Sequence, residues 1–252
     1  VTAIPQGRTR RAVTAAAICA LAVTATGLTG CGSEDPDAGT NGVGKLSATA
    51  IQAKAKKAAG KAPAVRLSGT VVSGGTTYTL DMRLKSDGGT GSVTSKGGGF
   101  RLLRVGEHLF LKADAAFWAH EDGESDGKPT DTAAADKLEG MYVKVPTGDP
   151  AYKRFSGFTD KDVLLDGLLS LHGALAKDGH HEQSGVRTIR ITGGKGSGGT
   201  LDVSLQGTPY PVLLGRAGNA GTLRLTDWGK DFPLAEPPKK DTVDYGQQLP
   251  SS

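Results

Sequence analysis

Residues 77–84 read "TYTLDMRL". Tyr78, Leu80, Met82 and Leu84 alternate with Thr77, Thr79, Asp81 and Arg83. A period of two places alternate side chains on opposite faces of a strand, so one face is apolar and the other wet. The pattern recurs along the chain. Val65, Leu67, Gly69 and Val71 alternate with Arg66, Ser68 and Thr70, and "SGG" at 73–75 turns between the two runs. Shorter strands are predicted at Gly91–Thr94, Phe100–Val105, His108–Lys112 and Met141–Val145. Later ones carry Ile189 and Ile191, then Leu201, Val203 and Leu205, then Val212 and Leu214, then Leu223 and Leu225. Strands this amphipathic, joined by glycine turns, form an antiparallel sheet with one face to cover.

Helical periodicity appears in few places. "SATAIQAKAKKAA", Ser47–Ala59, has a thin apolar face of Ile51, Ala55 and Ala58, and Gly60 and Pro63 close it. Thr132–Leu138 is a short candidate. Asp160–Leu175 is the most apolar, with Asp160 as its N-cap. Its Val163, Leu164, Leu168, Leu171 and Leu175 make a stripe that needs cover, so the helix is expected against the apolar face of the sheet. The order strands, helices, strands gives an α+β fold. Eleven residues converge on this interface as a candidate apolar cavity: Leu80, Met82, Leu84, Val163, Leu164, Leu168, Leu201, Val203, Val212, Leu223 and Leu225. A tightly covered sheet would make them a plain core, and a sheet that curves away would leave a pocket. Alternation is compatible with both.

The first 30 residues have a different character. Arg8, Arg10 and Arg11 precede an apolar run, Ala12–Leu28, which ends in "LTGC", Leu28–Cys31. This is the layout of a secretory signal peptide. "LTGC" resembles the bacterial lipobox. Small residues at Thr29 and Gly30 let the chain enter a signal peptidase extended, with cleavage between Gly30 and Cys31. The Cys31 sulfur is the nucleophile that accepts a diacylglyceryl group. Two acyl chains hold a protein stably on a membrane where one does not. The expected location is therefore the extracytoplasmic face of the cell membrane, lipid-anchored. "TRR" at 9–11 faintly resembles a twin-arginine export signal, but basic n-regions often carry paired arginines by chance, and the choice between that route and general secretion stays open. Cys19 lies in the apolar run, so the processed chain keeps one cysteine, blocked by lipid. A disulfide, a multi-cysteine metal site and a cysteine nucleophile are excluded on that reading.

The anchor also explains the charge. The chain carries 30 basic and 26 acidic residues, a net of +4. Residues 1–30 contain three of the arginines and no acid, so the remainder is close to neutral. No basic stripe interleaves with aromatics, so nucleic acid is not an expected partner. "GGKGSGG", 193–199, lacks the Gly-Lys-Ser/Thr ending of a phosphate loop and is read as a hairpin loop. "HHE", His180–Glu182, is not the zinc pattern HExxH and is read as a polar loop. No metal, no cofactor and no enzymatic activity are expected. Trp118 and Trp228 are expected as packing anchors.

The order of lipobox, helix, strand meander, "FWAHEDG…AADKLEGMYVKVP", apolar helix, "GTLDVSLQGTPYPVLL" and "GTLRLTDWGKDFPLAEPP" resembles actinobacterial envelope lipoproteins of the LppX/LprG type. Those are similar in architecture to the LolA lipoprotein carriers. The resemblance covers roughly residues 46–245 and rests on "PYP" and "DWG…P". It implies a curved antiparallel half-barrel capped by helices, with an apolar cavity that binds a lipid or glycolipid. The expected organisation is a signal peptide over 1–30, a flexible tether over 31–45, the α+β domain over 46–245 and a tail over 246–252. The expected function is an anchored lipid carrier. The alternative is an anchored structural or protein-interaction module with a filled core.

Overall fold

The computed structural model describes residues 35–114, 117, 138–244 and 246. The signal peptide, "LTGC", Trp118, the loop at 121–130, nearly all of the helix expected at Thr132–Leu138, and most of the tail lie outside the described residues.

Twelve strands form one curved, unclosed sheet. They are β1 (Ala64–Ser73), β2 (Thr76–Lys85), β3 (Gly88–Ser95), β4 (Gly98–Val105), β5 (His108–Ala113), β6 (Tyr142–Val145), β7 (Leu175–Gln183), β8 (Val186–Gly193), β9 (Thr200–Ser204), β10 (Pro211–Gly215), β11 (Gly221–Thr226) and β12 (Thr242–Asp244). Their order across the sheet is β12-β6-β5-β4-β3-β2-β1-β11-β10-β9-β8-β7. Two meanders, β1 to β6 and β7 to β11, therefore meet where β1 pairs with β11. All pairs are antiparallel except β12 with β6, so the sheet is mixed rather than purely antiparallel. That parallel strand comes from the C-terminal stretch "KKDTVDYGQQLPSS", which its sequence leaves open between a loosely attached strand and coil.

Among the described residues three α-helices cover one face: α1 (Ala48–Lys61), α2 (Pro150–Thr159) and α3 (Lys161–Leu168). Ser47 caps α1 by accepting the Ala50 N–H. The face of α1 that meets the sheet is almost all alanine, so its backbone approaches closely. Asp149 caps α2, with Pro150 at its first turn. Asp160 caps α3 as its sequence predicts, accepting from the N–H groups of Asp162 and Val163.

The helix expected over Asp160–Leu175 ends at Leu168. The Leu171 N–H turns to the Gln52 side chain of α1, Gly173 adopts a positive φ of 78°, and Leu175 opens β7. One apolar run thus serves helix, turn and strand, because Leu165, Leu169, Leu171 and Leu175 all reach the same core. "HHE" is strand, not loop: it lies in the edge strand β7. A bulge between Lys177 and His180 breaks the alternation there. Among the described residues no helix is long and apolar enough to cross a membrane.

The stretch expected as a free tether is docked from Asp35 onward. The Asn41 side chain donates to the carbonyls of Ser204 and Gly207, each at 3.0 Å. Val43 is buried in the main core. Asp37 pairs with His180 of β7 at 3.0 Å. Polar composition suggested a loose chain; one apolar plug and one bidentate asparagine hold it.

Candidate functional site

The strand register sorts the helix-covered, concave face into rungs. One rung runs through Val65, Leu84, Gly89, Arg104, Leu109 and Val145. The next holds Leu225, Leu67, Met82, Gly91, Leu102, Leu111 and Val143. The third holds Ile191, Leu201, Leu214, Leu223, Gly69, Leu80, Val93, Phe100 and Ala113.

Under α1 and α3 the rungs are filled. Met82, Leu84, Leu201, Val203, Leu223 and Leu225 share one close-packed cluster with Ile51, Ala55 and Ala59 of α1 and Leu165 of α3. Leu164 and Leu168 are partly buried against it. Six of the eleven candidate cavity residues therefore come together as core, and two more flank it. The other three lie elsewhere. Val163 is on the solvent side of α3, 63% exposed. Leu80 is half-buried on the concave face beyond the main cluster. Val212 sits on a bulge between Pro211 and Leu213 and lines a cleft with Tyr210 and Trp228.

Glycine sets the depth of the face. A Cβ on Gly91 would collide with Met82 Sδ and the Asp81 carbonyl, and one on Gly89 would come within 2.6 Å of Leu84 Cδ2. The side chains of β2 lie sideways across β3 into this space. Further along the first rung, Arg104 donates to Thr159 Oγ1 at 3.1 Å and to the Thr159 carbonyl at 3.0 Å, tying α2 to β4. Thr159 is fully buried, so this clasp satisfies polar groups that would otherwise be stranded at a helix end.

Away from the helices the face changes. Val71, Tyr78, Leu80 and Phe100 share the concave side by register and are only half-buried. Phe100 carries an aromatic cluster, with ring centroids 5.2 Å from Phe117 and 5.4 Å from Phe155 of α2. Aromatic rings give a broad apolar surface with few rotamers. The described helices cover this strip only in part, α2 reaching Phe100 through Phe155. Leu80 apart, its members were not among the residues singled out from the sequence. The alternation in 77–84 already put Tyr78 on the same face, and it was the signal that could have included it.

The two segments that carry the resemblance meet in space. Tyr210 of "PYP" stacks on Trp228 of "DWG" with centroids 4.8 Å apart and planes 3° from parallel. Trp228 Nε1 donates to the Pro211 carbonyl at 2.9 Å. Trp228 thus anchors packing, as expected, and also lines a cleft. Among the described residues no three His, Cys, Asp or Glu side chains converge as a metal site.

No protein-family model matches the chain, and no curated protein matches it. Solved structures do. LprF from Mycobacterium bovis aligns over 75% of this chain and 96% of its own, at 15% identity and a TM-score of 0.51. The Mycobacterium tuberculosis lipoprotein LppX aligns over 74% and 99%, at 16% identity and a TM-score of 0.43. The likeness to LprF is one of fold. The α+β, LolA-like architecture that the sequence resemblance implies is the one observed.

Proposed function

We propose that this chain is a membrane-anchored cell-envelope lipoprotein that holds a lipid or other apolar ligand on the concave face of its sheet. The observation that carries the reading is the half-buried strip of Val71, Tyr78, Leu80 and Phe100, which lies beyond the core under α1 and α3 and borders the smaller cluster under α2 at Phe100. Apolar side chains clustered on a concave surface gain free energy by taking up an apolar partner. The fold shared with LprF supports it. The anchor is Cys31 of "LTGC", carrying a diacylglyceryl group after cleavage at Gly30, on the extracytoplasmic face of the membrane. The protein acts by binding, without a cofactor or a catalytic step.

One observation favours the alternative of an anchored structural or interaction module. Met82, Leu84, Leu201, Val203, Leu223 and Leu225, expected to line a cavity, are packed as core. On the carrier reading the ligand therefore sits at the aromatic end of the sheet, at Leu80 and Phe100, rather than beneath α1 and α3.

Native mass spectrometry of the full chain purified from envelope membranes tests this. A co-purifying lipid in the wild type, lost in Leu80→Glu with the fold retained, is the expected result. Wild-type protein that neither carries nor takes up lipid would establish the filled module instead. The anchor has its own readout: Cys31→Ala leaves the leader uncleaved and the chain without acyl groups. Normal processing of that variant would refute the lipobox.

A further inference from the structure

The opposite, convex face carries a second cleft that the carrier reading does not use. Its volume is about 480 Å³, larger than the clefts of about 340, 170 and 100 Å³ found elsewhere among the described residues. That is in the range of small-molecule sites. It forms because the tip of the β7–β8 hairpin, Ser184–Gly185, turns through positive φ of 53° and 81° and reaches β11. There Arg224 Nη1 donates to Ser184 Oγ at 2.8 Å.

Two kinds of surface meet in it. One part is apolar: Val186, the bulged Val212 and the stacked Tyr210–Trp228 pair. The bulge leaves Val212 as an extra residue in β10, where it lines the cleft. The other part is cationic. Three half-buried arginines on this face can be compared. Arg66 grips Asp81 through Nε and Nη2 at 2.8 and 2.6 Å. Arg190 grips Asp202 at 3.0 and 2.9 Å. Arg224 has no carboxylate within 4.0 Å among the described residues, and the Ser184 hydroxyl takes a single one of its five N–H donors. Lys230 also lines the cleft, but Asp227 neutralises it at 2.7 Å. The uncompensated charge is therefore that of Arg224, directly beside an aromatic and aliphatic wall.

We infer that this cleft is a binding site for a single anionic amphiphile, an anionic phospholipid whose phosphate is taken by Arg224 and whose apolar portion packs on Val212 and the Tyr210–Trp228 stack. A guanidinium presents a planar fork that matches phosphate oxygens, and a half-buried one binds them more strongly than an exposed one. The aromatic wall selects against a bare anion, and the missing carboxylate selects against a neutral lipid. The site is separate from the concave strip, and neither needs the other.

Trp228 supplies the readout. In the full chain carrying Trp118→Phe, dihexanoylphosphatidylglycerol below its micelle concentration is expected to change the tryptophan emission saturably. Dihexanoylphosphatidylcholine and inorganic phosphate over the same range are expected not to. Arg224→Gln, which retains a donor toward Ser184 but loses the charge, should weaken the anionic lipid about tenfold or more. Val212→Asp should weaken it as well, with circular dichroism confirming that both variants fold. Absence of a saturable response in the wild type would overturn the site. So would an unchanged affinity in a folded Arg224→Gln, or equal binding of inorganic phosphate.

Discussion

The two meanders of this sheet use the same alternation to opposite ends. On the third rung, Ile191, Leu201, Leu214 and Leu223 of the β7–β11 meander are 0–2% exposed beneath the alanine face of α1. Leu80 and Phe100, on the same rung in the β1–β6 meander, stay half-buried. The convex side repeats the contrast. The Asp202 side chain of β9 is 1% exposed and held by Arg190, whereas Asp81 of β2 is 44% exposed and held by Arg66. One meander is sealed on its concave face, keeps Asp202 buried on the other, and holds the molecule together. The other keeps surface in reserve. Apolar surface on a sheet does not reveal its use; what packs on it does.

The largest effect expected from breaking this contrast is at Arg190. Its removal leaves Asp202 charged and buried without its partner, which costs about 3 kcal/mol or more. Chemical denaturation of Arg190→Ala measures it. A loss as small as that of an exposed pair would mean that Asp202 is not sealed beneath its partner.

Next comes a matched pair on one rung. Ile191→Ala empties a fully buried site and should cost about 2–5 kcal/mol. Phe100→Ala removes a larger side chain from a half-covered one and should cost about 1 kcal/mol, with most of its effect on lipid uptake. Equal losses of stability would erase the distinction between core and reserve surface.

The smallest effect concerns Asp81. Its hydrogen bonds from Arg66 hold the carboxyl below its ordinary value of 3.8. A depressed carboxyl contributes stability above 3.8 that is lost as pH falls through the lower, folded value. Partial exposure and solvent screening keep the contribution under about 1 kcal/mol. Asp81→Asn should therefore be slightly less stable than the wild type at neutral pH and converge with it as the pH is lowered below 3.8. A gap that widens with acid would contradict the pairing.

Much of the fold was legible from residue pattern. The alternation at 65–71, 78–84, 201–205 and 223–225 marks β1, β2, β9 and β11, and Asp160 marks the start of α3. What was missed has local causes. The edge strand β7, "LAKDGHHEQ", is polar on both faces and broken by a bulge, so it carries no period. Helix α2 had a start signal in Asp149–Pro150, but its apolar face is reduced to a few aromatic and small residues. The docking of Asp35–Lys45 depends on Asn41 finding carbonyls more than 160 residues away.

For the candidate sites the division is sharper. The sequence alone determined which side chains face one way along each strand, because a period of two is a local property of extended backbone. It also carried the "LTGC" motif and the expectation of an anchor that follows from it. Only the tertiary structure decided which of those side chains are core and which stay accessible, because that depends on where three helices come to rest across strands distant in sequence. Only it brought Tyr210 onto Trp228 and left Arg224 without an acid among the described residues. Both depend on a bulge, a hairpin tip and the register between β10 and β11, none of which any single stretch of sequence specifies.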